Sequence, residues 1–236
     1  MKEIPDKSID LIIADPPFAI DNGQPKTANY NRDASKVLEG YQEITAEEYY
    51  QFSLAWISQA HRILRDRGVL IVVSGWSNQV DILLALRNAH FTLQNELIWK
   101  HNFGLFTKNR FVSAHYVIFY CSKHPDNFTF NKWLWYAEDC FQAEETLSQE
   151  DFNFKILDIK REYWHGKTRT PNKLPAELIE MLIAFGSHFH DLILDPFSGS
   201  GTVLKVSQYM LRHCIAFDVV PEFVHFANDQ IRGVKE

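Results

Sequence analysis

The chain has 236 residues, enough to bury a substantial hydrophobic core as one domain. Hydrophobic residues make up 46% and aromatic residues 14% of the composition, which excludes a disordered tail or linker. The formal net charge of −6 disfavours a nucleic-acid binder with a uniformly basic surface. Three cysteines without metal-type spacing predict a cytoplasmic location, and no apolar run approaches the roughly 18 residues that span a bilayer.

Apolar runs alternate with amphipathic stretches, and this alternation predicts an α/β fold. The predicted strands are Ile9–Ala14, Val69–Ser74, Phe91–Trp99, Tyr116–Cys121, Leu192–Asp195 and Cys214–Asp218. A first long helix is predicted to begin at Thr45, because Thr45 and Glu48 have the spacing of a capping box. Further helices are predicted from Pro175 to Gly186, from about Thr202 to Leu211, and from Pro221 onward.

A short motif, Asp15-Pro16-Pro17-Phe18, directly follows the first predicted strand. The Asp15 carboxylate and the Pro16 carbonyl can accept hydrogen bonds from both hydrogens of a nucleobase amine, which localises the nitrogen lone pair. The two prolines stiffen the turn, and Phe18 offers a face on which a flipped base can stack. The alternative is an ordinary Asp-Pro turn after a core strand.

A second motif, Asp-Pro-Phe-Ser-Gly-Ser-Gly-Thr, begins at Asp195 and joins a predicted strand to a predicted helix. Gly199 and Gly201 let the backbone approach a ligand at the helix N-terminus. Leu204 stands where a dinucleotide-binding fingerprint needs Gly or Ala, which disfavours a nicotinamide enzyme. Asp218, after the next strand, can hold ribose hydroxyls; alternatively, it is an acid at the N-terminus of the helix that begins at Pro221.

The two motifs in this order resemble the amino-group DNA methyltransferases of the permuted beta group. In that group the Asp-Pro-Pro-(aromatic) loop comes first and the glycine-rich cofactor turn comes last. Shorter stretches add to the resemblance: Arg67 to Ile71, Trp99-Lys100, Arg110-Phe111, His115, Cys121 to Lys123, Thr170 to Pro175 and Arg212 to Ile215. The chain departs from the family at Phe18, where Tyr is usual, at Tyr116, where Glu is common, and at Thr170 and Leu174, where His and Lys are usual.

The resemblance implies a Rossmann-like methyltransferase fold with a mostly parallel twisted sheet and helices on both faces. One strand, Tyr116–Cys121, is expected to run antiparallel beside Val69–Ser74. The expected organisation is a single methyltransferase domain over residues 1–236, with a small target-recognition insertion at residues 124–169.

The activity implied by the resemblance is site-specific methylation of N6 of adenine in DNA, with S-adenosylmethionine as the cofactor and no metal ion. The catalytic residues would be Asp15, Pro16, Pro17 and Phe18. The cofactor-binding residues would be Asp195, Phe197, Ser198, Gly199, Ser200, Gly201, Thr202 and Asp218. Two alternatives remain open: methylation of N4 of cytosine, where family members more often carry Ser in place of Asp15, and a non-catalytic binding subunit with the same fold.

Basic residues concentrate in two stretches, from Lys100 to Lys132 and from Lys155 to Lys173, on either side of an acidic one. They could face DNA phosphates or be ordinary solvated loops. The candidates for phosphate contact are Lys100, Lys108, Arg110, Lys160, Arg161 and Lys167. The expected partner is DNA and not a membrane; a homodimer and a cognate restriction endonuclease are compatible with the resemblance.

Overall fold

The computed structural model describes residues 1–17, 44–101, 108–109, 111–131, 156–160, 162 and 173–232. The strands in these residues are β1 (Ile9–Ala14), β2 (Leu64–Ser74), β3 (Thr92–Lys100), β4 (His115–Ser122), β5 (Ile156–Leu157), β6 (Leu192–Asp195) and β7 (His213–Ala216). The helices are α1 (Ala46–Ile63), α2 (Gln79–Asn88), α3 (Ala176–Gly186), α4 (Thr202–Tyr209) and α5 (Pro221–Arg232).

The strands form one sheet in the order β5-β3-β4-β2-β1-β6-β7. β1 pairs in parallel with β2 on one side and with β6 on the other, and β6 pairs in parallel with β7. β4 is antiparallel to both β2 and β3, whereas β5 is parallel to β3. The expected mostly parallel sheet with one reversed strand is therefore confirmed, and the six other described strands end at the same edge of the sheet.

Helices cover the sheet on both faces, and each face has its own hydrophobic core. On one face, side chains of α1 and α2 such as Ile57 and Ile82 pack against Ile12 and Leu70. On the other face, side chains of α3 and α4 pack against alternate strand residues; this core includes Leu11, Ile71, Leu178, Ile183 and Val206. Successive residues of β1 face opposite cores, as expected for a strand covered on both sides.

The parallel pairing of β1 with β6 fixes the centre of the sheet. Leu11 lies opposite Ile193 and Ile12 opposite Leu194. A side chain secures this register, because an Asp10 carboxylate oxygen accepts a hydrogen bond from the Leu192 backbone N–H at 2.9 Å. The other oxygen of Asp10 pairs with the Arg65 guanidinium on β2, so one carboxylate joins three adjacent strands at their amino ends.

Two described parts of the predicted 124–169 insertion pack on the central fold. Leu157 and Ile159 are buried in the α3-side core, and the Trp99 indole N–H donates to the Ile159 carbonyl at 2.9 Å. The Asn131 side chain donates to the Ser187 carbonyl beyond the end of α3 at 2.7 Å. Residues 132–155 lie outside the described part, so the target-recognition insertion stays a prediction. Of the described helices, none combines the length and apolarity that a bilayer crossing requires.

The start of α1 follows the predicted capping box. Thr45 is the N-cap, and its hydroxyl oxygen accepts a hydrogen bond from the Glu48 backbone N–H at 3.3 Å. The same hydroxyl donates to the Glu48 carboxylate at 2.9 Å. The cap therefore satisfies a backbone donor that the helix itself leaves without a partner.

We expect Thr45→Ala to lower the free energy of unfolding by about 1 kcal/mol, the typical cost of removing an N-cap hydroxyl. Thr45→Ser keeps the hydroxyl and should stay close to the wild-type stability. Urea denaturation of the three proteins measures the difference. Equal loss in both variants would show that the threonine methyl group, and not the cap, carries the effect.

Candidate functional site

A cleft lies at the edge of the sheet where β1 and β6 end. Both sequence motifs contribute to its lining, although they lie about 180 residues apart in the chain. The lining residues are Ile13, Asp15, Lys173, Leu174, Asp195, Phe197, Ser198, Gly199, Ser200, Thr202 and Val203. This is the crevice outside the carboxyl ends of parallel strands, where ligands bind in open α/β sheets.

The first motif enters the cleft directly from β1. Asp15 follows the last residue of the strand and is half-buried, while Pro16 is buried and Pro17 half-buried. Proline has no backbone N–H to donate, so the Asp15 and Pro16 oxygens present acceptors at this strand end. Phe18, the fourth residue of the motif, lies outside the described residues.

The second motif forms a turn that its own backbone hydrogen bonds stabilise. Gly201 is the N-cap of α4 with a φ of 77°, and its N–H donates to the Ser198 carbonyl at 2.7 Å. A Cβ at Gly201 would meet the Ala227 Cβ at 2.7 Å, so glycine is required there by both conformation and space. Gly199 also has a positive φ, 47°, and a Cβ there would project into open space.

Asp218 fastens this turn to the neighbouring strand and helix. One carboxylate oxygen accepts from the Gly199 N–H at 2.8 Å, and the other accepts from the Val220 N–H at 2.9 Å just before α5. The strand β7 ends at Ala216, two residues earlier than predicted, and Asp218 contacts the cleft-lining residue Gly199. The carboxylate lies just before α5 and has acceptor sites for another donor, so its contact with ribose hydroxyls stays a prediction.

Asp195 is the most deeply buried carboxylate of the site, with 3% of its surface exposed. Its pKa is raised to about 8, mainly by burial and further by the nearby charges of Asp15 and Asp218, while a hydrogen bond from the Phe197 N–H opposes the shift. Desolvation and like-charge repulsion both favour the neutral acid. A cation bound in the cleft would reverse this preference.

An aromatic wall from α1 supports the glycine-rich turn. The Phe197 ring packs edge-on against Trp56 with centroids 5.4 Å apart, and against Phe52 at 6.0 Å. Phe197 was predicted to bind the cofactor; the structure places it on the cleft lining and also on this wall. Its packing holds the turn against α1.

Tyr49 is a buried residue near Asp15 that the sequence prediction missed. Burial raises its pKa to about 12, the Asp15 and Asp81 charges contribute to the rise, and the Asn78 and Ser53 side chains offset part of it. The signal was present in the sequence, because Tyr49, Ser53 and Trp56 follow helical spacing with Ala60 and Ile63. Phe52, also on α1, is only partly buried.

Lys173 and Leu174 also line the cleft, from the segment that leads into α3. The Lys173 ammonium forms an ion pair with Glu162. The other oxygen of Glu162 accepts from the Ala176 N–H at 2.7 Å, in the first turn of α3. Burial works to raise the pKa of Glu162, but Lys173 and the Ala176 hydrogen bond outweigh it and the pKa is lowered. Lys173 was not predicted as a site residue.

The described candidates for phosphate contact are Lys100, Lys108 and Lys160, and all three are exposed. Lys100 ends β3 and Lys160 follows β5, so both lie at the carboxyl edge that also carries the cleft. Lys100 pairs with Asp158 at 2.9 Å, which reduces its free positive charge. Arg110, Arg161 and Lys167 lie outside the described residues.

A family model for DNA methylases of the N6/N4 type matches residues 9–229, which is nearly the entire chain and includes both motifs. The chain belongs to the N6/N4 DNA methylase family.

Two curated members of this family are similar over essentially all of the chain. The chain is 28% identical to the type II methyltransferase M.HinfI of Haemophilus influenzae over 251 residues, covering 100% of this chain and 66% of that protein. It is 24% identical to the type II methyltransferase M.HpaI of Haemophilus parainfluenzae over 240 residues, covering 98% of this chain and 70% of that protein. The chain therefore spans about two thirds of the length of these relatives.

Solved structures show the same fold for this N6/N4 methylase chain. PvuII DNA methyltransferase, described as cytosine-N4-specific, matches with a TM-score of 0.73 and 19% identity, covering 97% of this chain and 81% of that one. A putative DNA modification methylase from Thermus thermophilus, solved in complex with S-adenosyl-L-methionine, matches with a TM-score of 0.65 and 21% identity. That match covers 99% of this chain and 90% of the other.

The raised pKa of Asp195 predicts a pH-dependent stability. Between about pH 4 and pH 8 the unfolded state has lost the Asp195 proton and the folded state retains it, so the contribution to stability falls as pH rises through this window. The slope is at most about 1.4 kcal/mol per pH unit. Asp195→Asn keeps an acceptor for the Phe197 N–H and should remove this part of the slope. Urea denaturation of both ligand-free proteins across the window measures the difference, and parallel curves would contradict the assignment.

Proposed function

We propose that the protein methylates N6 of adenine in DNA, with S-adenosylmethionine as the methyl donor. The observation that carries the proposal is the cleft, whose lining includes both the catalytic motif at Asp15 and the turn from Asp195 to Thr202. Membership of the N6/N4 DNA methylase family supports the same class of reaction.

The cleft suits S-adenosylmethionine in shape and charge. Open space above Gly199 leaves room for a ligand against the backbone of the turn. Asp195 places a carboxyl group on the lining, and its ionised form favours a ligand that carries a sulfonium and an ammonium group. The methylase from Thermus thermophilus, which shares the fold, was solved with S-adenosyl-L-methionine. When bound, this cofactor supplies a methyl group activated by its positive sulfur.

Asp15 and Pro16 would prepare the target amine. The exocyclic amine of a nucleobase is a weak nucleophile because its lone pair is delocalised into the ring. A carboxylate oxygen of Asp15 and the Pro16 carbonyl would each accept one amine hydrogen, which directs the lone pair toward the methyl group. The base must leave the duplex to reach this position, and Phe18 would provide a stacking surface for it.

Adenine is favoured over cytosine by the residue at position 15. Family members that act on cytosine more often carry Ser there, and this chain carries Asp. PvuII DNA methyltransferase, a cytosine-N4-specific enzyme, shares the fold, so methylation of N4 of cytosine is the second candidate. The lone pair of the cytosine amine is also delocalised into the ring. Identifying the methylated nucleoside distinguishes adenine methylation from cytosine methylation.

DNA would approach the carboxyl edge of the sheet. Lys100 and Lys160 are exposed there, and Lys108 is exposed in the segment between β3 and β4. Arg110, Arg161 and Lys167 are their neighbours in the sequence. With an overall charge of −6, binding must depend on such a local patch. Residues of the 124–169 insertion would read the bases, while the basic residues hold the phosphates.

We expect Asp15→Ala to lower methyl transfer about 1,000-fold, a loss on the scale of removing a principal electrostatic contact in a transition state. Affinity for S-adenosylmethionine should change only slightly, because the Asp15 carboxylate serves the base. Transfer of labelled methyl groups to duplex DNA measures the first quantity, and calorimetry measures the second. Asp126→Ala, at an exposed site at the opposite edge of the sheet, is the control. Wild-type turnover in the Asp15 variant would refute the assigned chemistry.

Neutralising the phosphate contacts should weaken DNA binding equally across sequences. Lys108→Ala and Lys160→Ala should each reduce the slope of log affinity against log salt by about one unit. Lys100→Ala should reduce it by less, because Asp158 already pairs with that ammonium. Lys2→Ala, which precedes β1 at the amino edge of the sheet, is the control. Loss of discrimination with unchanged affinity for random duplex would show that these lysines read bases.

A further inference from the structure

Three polar side chains, which we call the Tyr49 cluster, are buried together near Asp15. Tyr49 and Ser53 lie one turn apart on α1, and Asn78 is the N-cap of α2. Their exposed fractions are 1%, 0% and 2%. Because α1 ends where the parallel strand β2 begins, the start of α1 lies at the carboxyl edge of the sheet, as do the start of α2 and Asp15. The topology therefore brings the cluster to the first motif.

The electrostatics of Tyr49 show how close these groups are. Burial raises the pKa of Tyr49 to about 12, a hydrogen-bonding interaction with Asn78 opposes the rise, and the Asp15 charge adds to it. Ser53 acts in the same direction as Asn78. The Tyr49 hydroxyl therefore keeps its proton throughout the neutral pH range, and it can serve as a hydrogen-bond donor within reach of the Asp15 field.

The polar atoms of the Tyr49 cluster are poorly paired among the residues that the structure describes. The Tyr49 hydroxyl, the Ser53 hydroxyl and the Asn78 amide nitrogen form no hydrogen bond of normal length there, whereas the Asn78 amide oxygen accepts from the Ser77 hydroxyl. A buried polar group without a partner destabilises a folded protein, and such groups are rare outside functional sites. Three of them near one carboxylate of the cleft indicate a role in the site.

We infer that Tyr49 is a positioning residue for Asp15: its hydroxyl donates to the Asp15 carboxylate when the target base is bound. The inference rests on the proposed function, in which Asp15 accepts a hydrogen of the target amine. A carboxylate accepts several hydrogen bonds, so Asp15 can hold the amine and the Tyr49 hydroxyl together. The donated hydrogen favours the ionised carboxylate and fixes its orientation. Hydrogen bonds of this kind are often long in a ligand-free site and shorten when the substrate binds.

The test compares Tyr49→Phe with Tyr50→Phe, the same change at the adjacent residue of α1. The Tyr50 hydroxyl is a matched control because it accepts from the Asn88 side chain at 2.6 Å. With S-adenosylmethionine and duplex DNA of mixed sequence, Tyr49→Phe should lower kcat roughly tenfold, the scale of one hydrogen bond to a charged group. KM for DNA and affinity for S-adenosylmethionine should stay unchanged. Tyr50→Phe should keep the wild-type kcat.

Stability separates a positioning role from a structural one. The urea midpoint of ligand-free Tyr49→Phe should equal or exceed that of wild type, because the hydroxyl removed has no partner among the described residues. Tyr50→Phe should lower the midpoint slightly, because it removes a formed hydrogen bond. A protein that loses activity without losing stability has not lost its fold.

A double variant shows whether Tyr49 acts through Asp15. In the Asp15→Ala background, Tyr49→Phe should cause no further loss of single-turnover methyl transfer, because the acceptor of its hydroxyl is gone. The inference is overturned if Tyr49→Phe keeps the wild-type kcat, if the two losses multiply, or if kcat and the urea midpoint fall together. If the wild-type protein transfers no methyl group, the proposed function itself is wrong and this inference falls with it.

Discussion

Asp10 and Leu192 are 182 residues apart in the chain, and a hydrogen bond joins them at the amino ends of β1 and β6. The parallel pairing that begins there places Leu11 and Ile12 opposite Ile193 and Leu194. Because the register is fixed, the two strands end side by side, and the residues that follow them, Asp15 on one and the glycine-rich turn on the other, share a cleft. The remainder of the site depends on this pairing.

The same pairing places three carboxyl groups close together. Asp195 is almost completely buried, and Asp15 and Asp218 lie close enough to contribute to its raised pKa. The neutral acid is therefore the favoured form of Asp195 in the ligand-free protein. A positively charged molecule in the cleft would favour the ionised form, as does the Phe197 N–H that donates to this carboxyl group.

Much of the fold could be predicted from the sequence where strong local patterns exist. β1 and β6 have the predicted bounds, because each is an apolar run that leads into an Asp-Pro step. The start of α1 was also predicted, because the capping box is a local sequence pattern. α2 was missed, since its N-cap Asn78 makes no side-chain cap and Asp81 and Arg87 interrupt its apolar pattern. β5, two residues in a charged stretch, has no local pattern to detect.

Only the site residues that lie within the sequence motifs could be predicted from the sequence. Asp15 and Gly199 lie in such motifs, and the structure brings their motifs together. Lys173 lies in the Thr170 to Pro175 stretch that adds to the family resemblance, but its ion pair with Glu162 leaves no trace in the sequence. The hydrogen bond from the Gly199 N–H to Asp218 could not be predicted from the sequence, because it joins two segments 19 residues apart; the other Asp218 oxygen accepts from the Val220 N–H just before α5.

We propose that one cleft brings a methyl donor and a nucleobase amine together. The most direct measurement incubates the purified protein with isotopically labelled S-adenosylmethionine and duplex DNA of mixed sequence, hydrolyses the DNA to nucleosides and identifies the labelled product by mass spectrometry. We expect labelled N6-methyl-2′-deoxyadenosine. Labelled N4-methylcytosine would contradict the assignment of the base, and no labelled nucleoside across many sequences and both strand states would contradict catalysis by this chain.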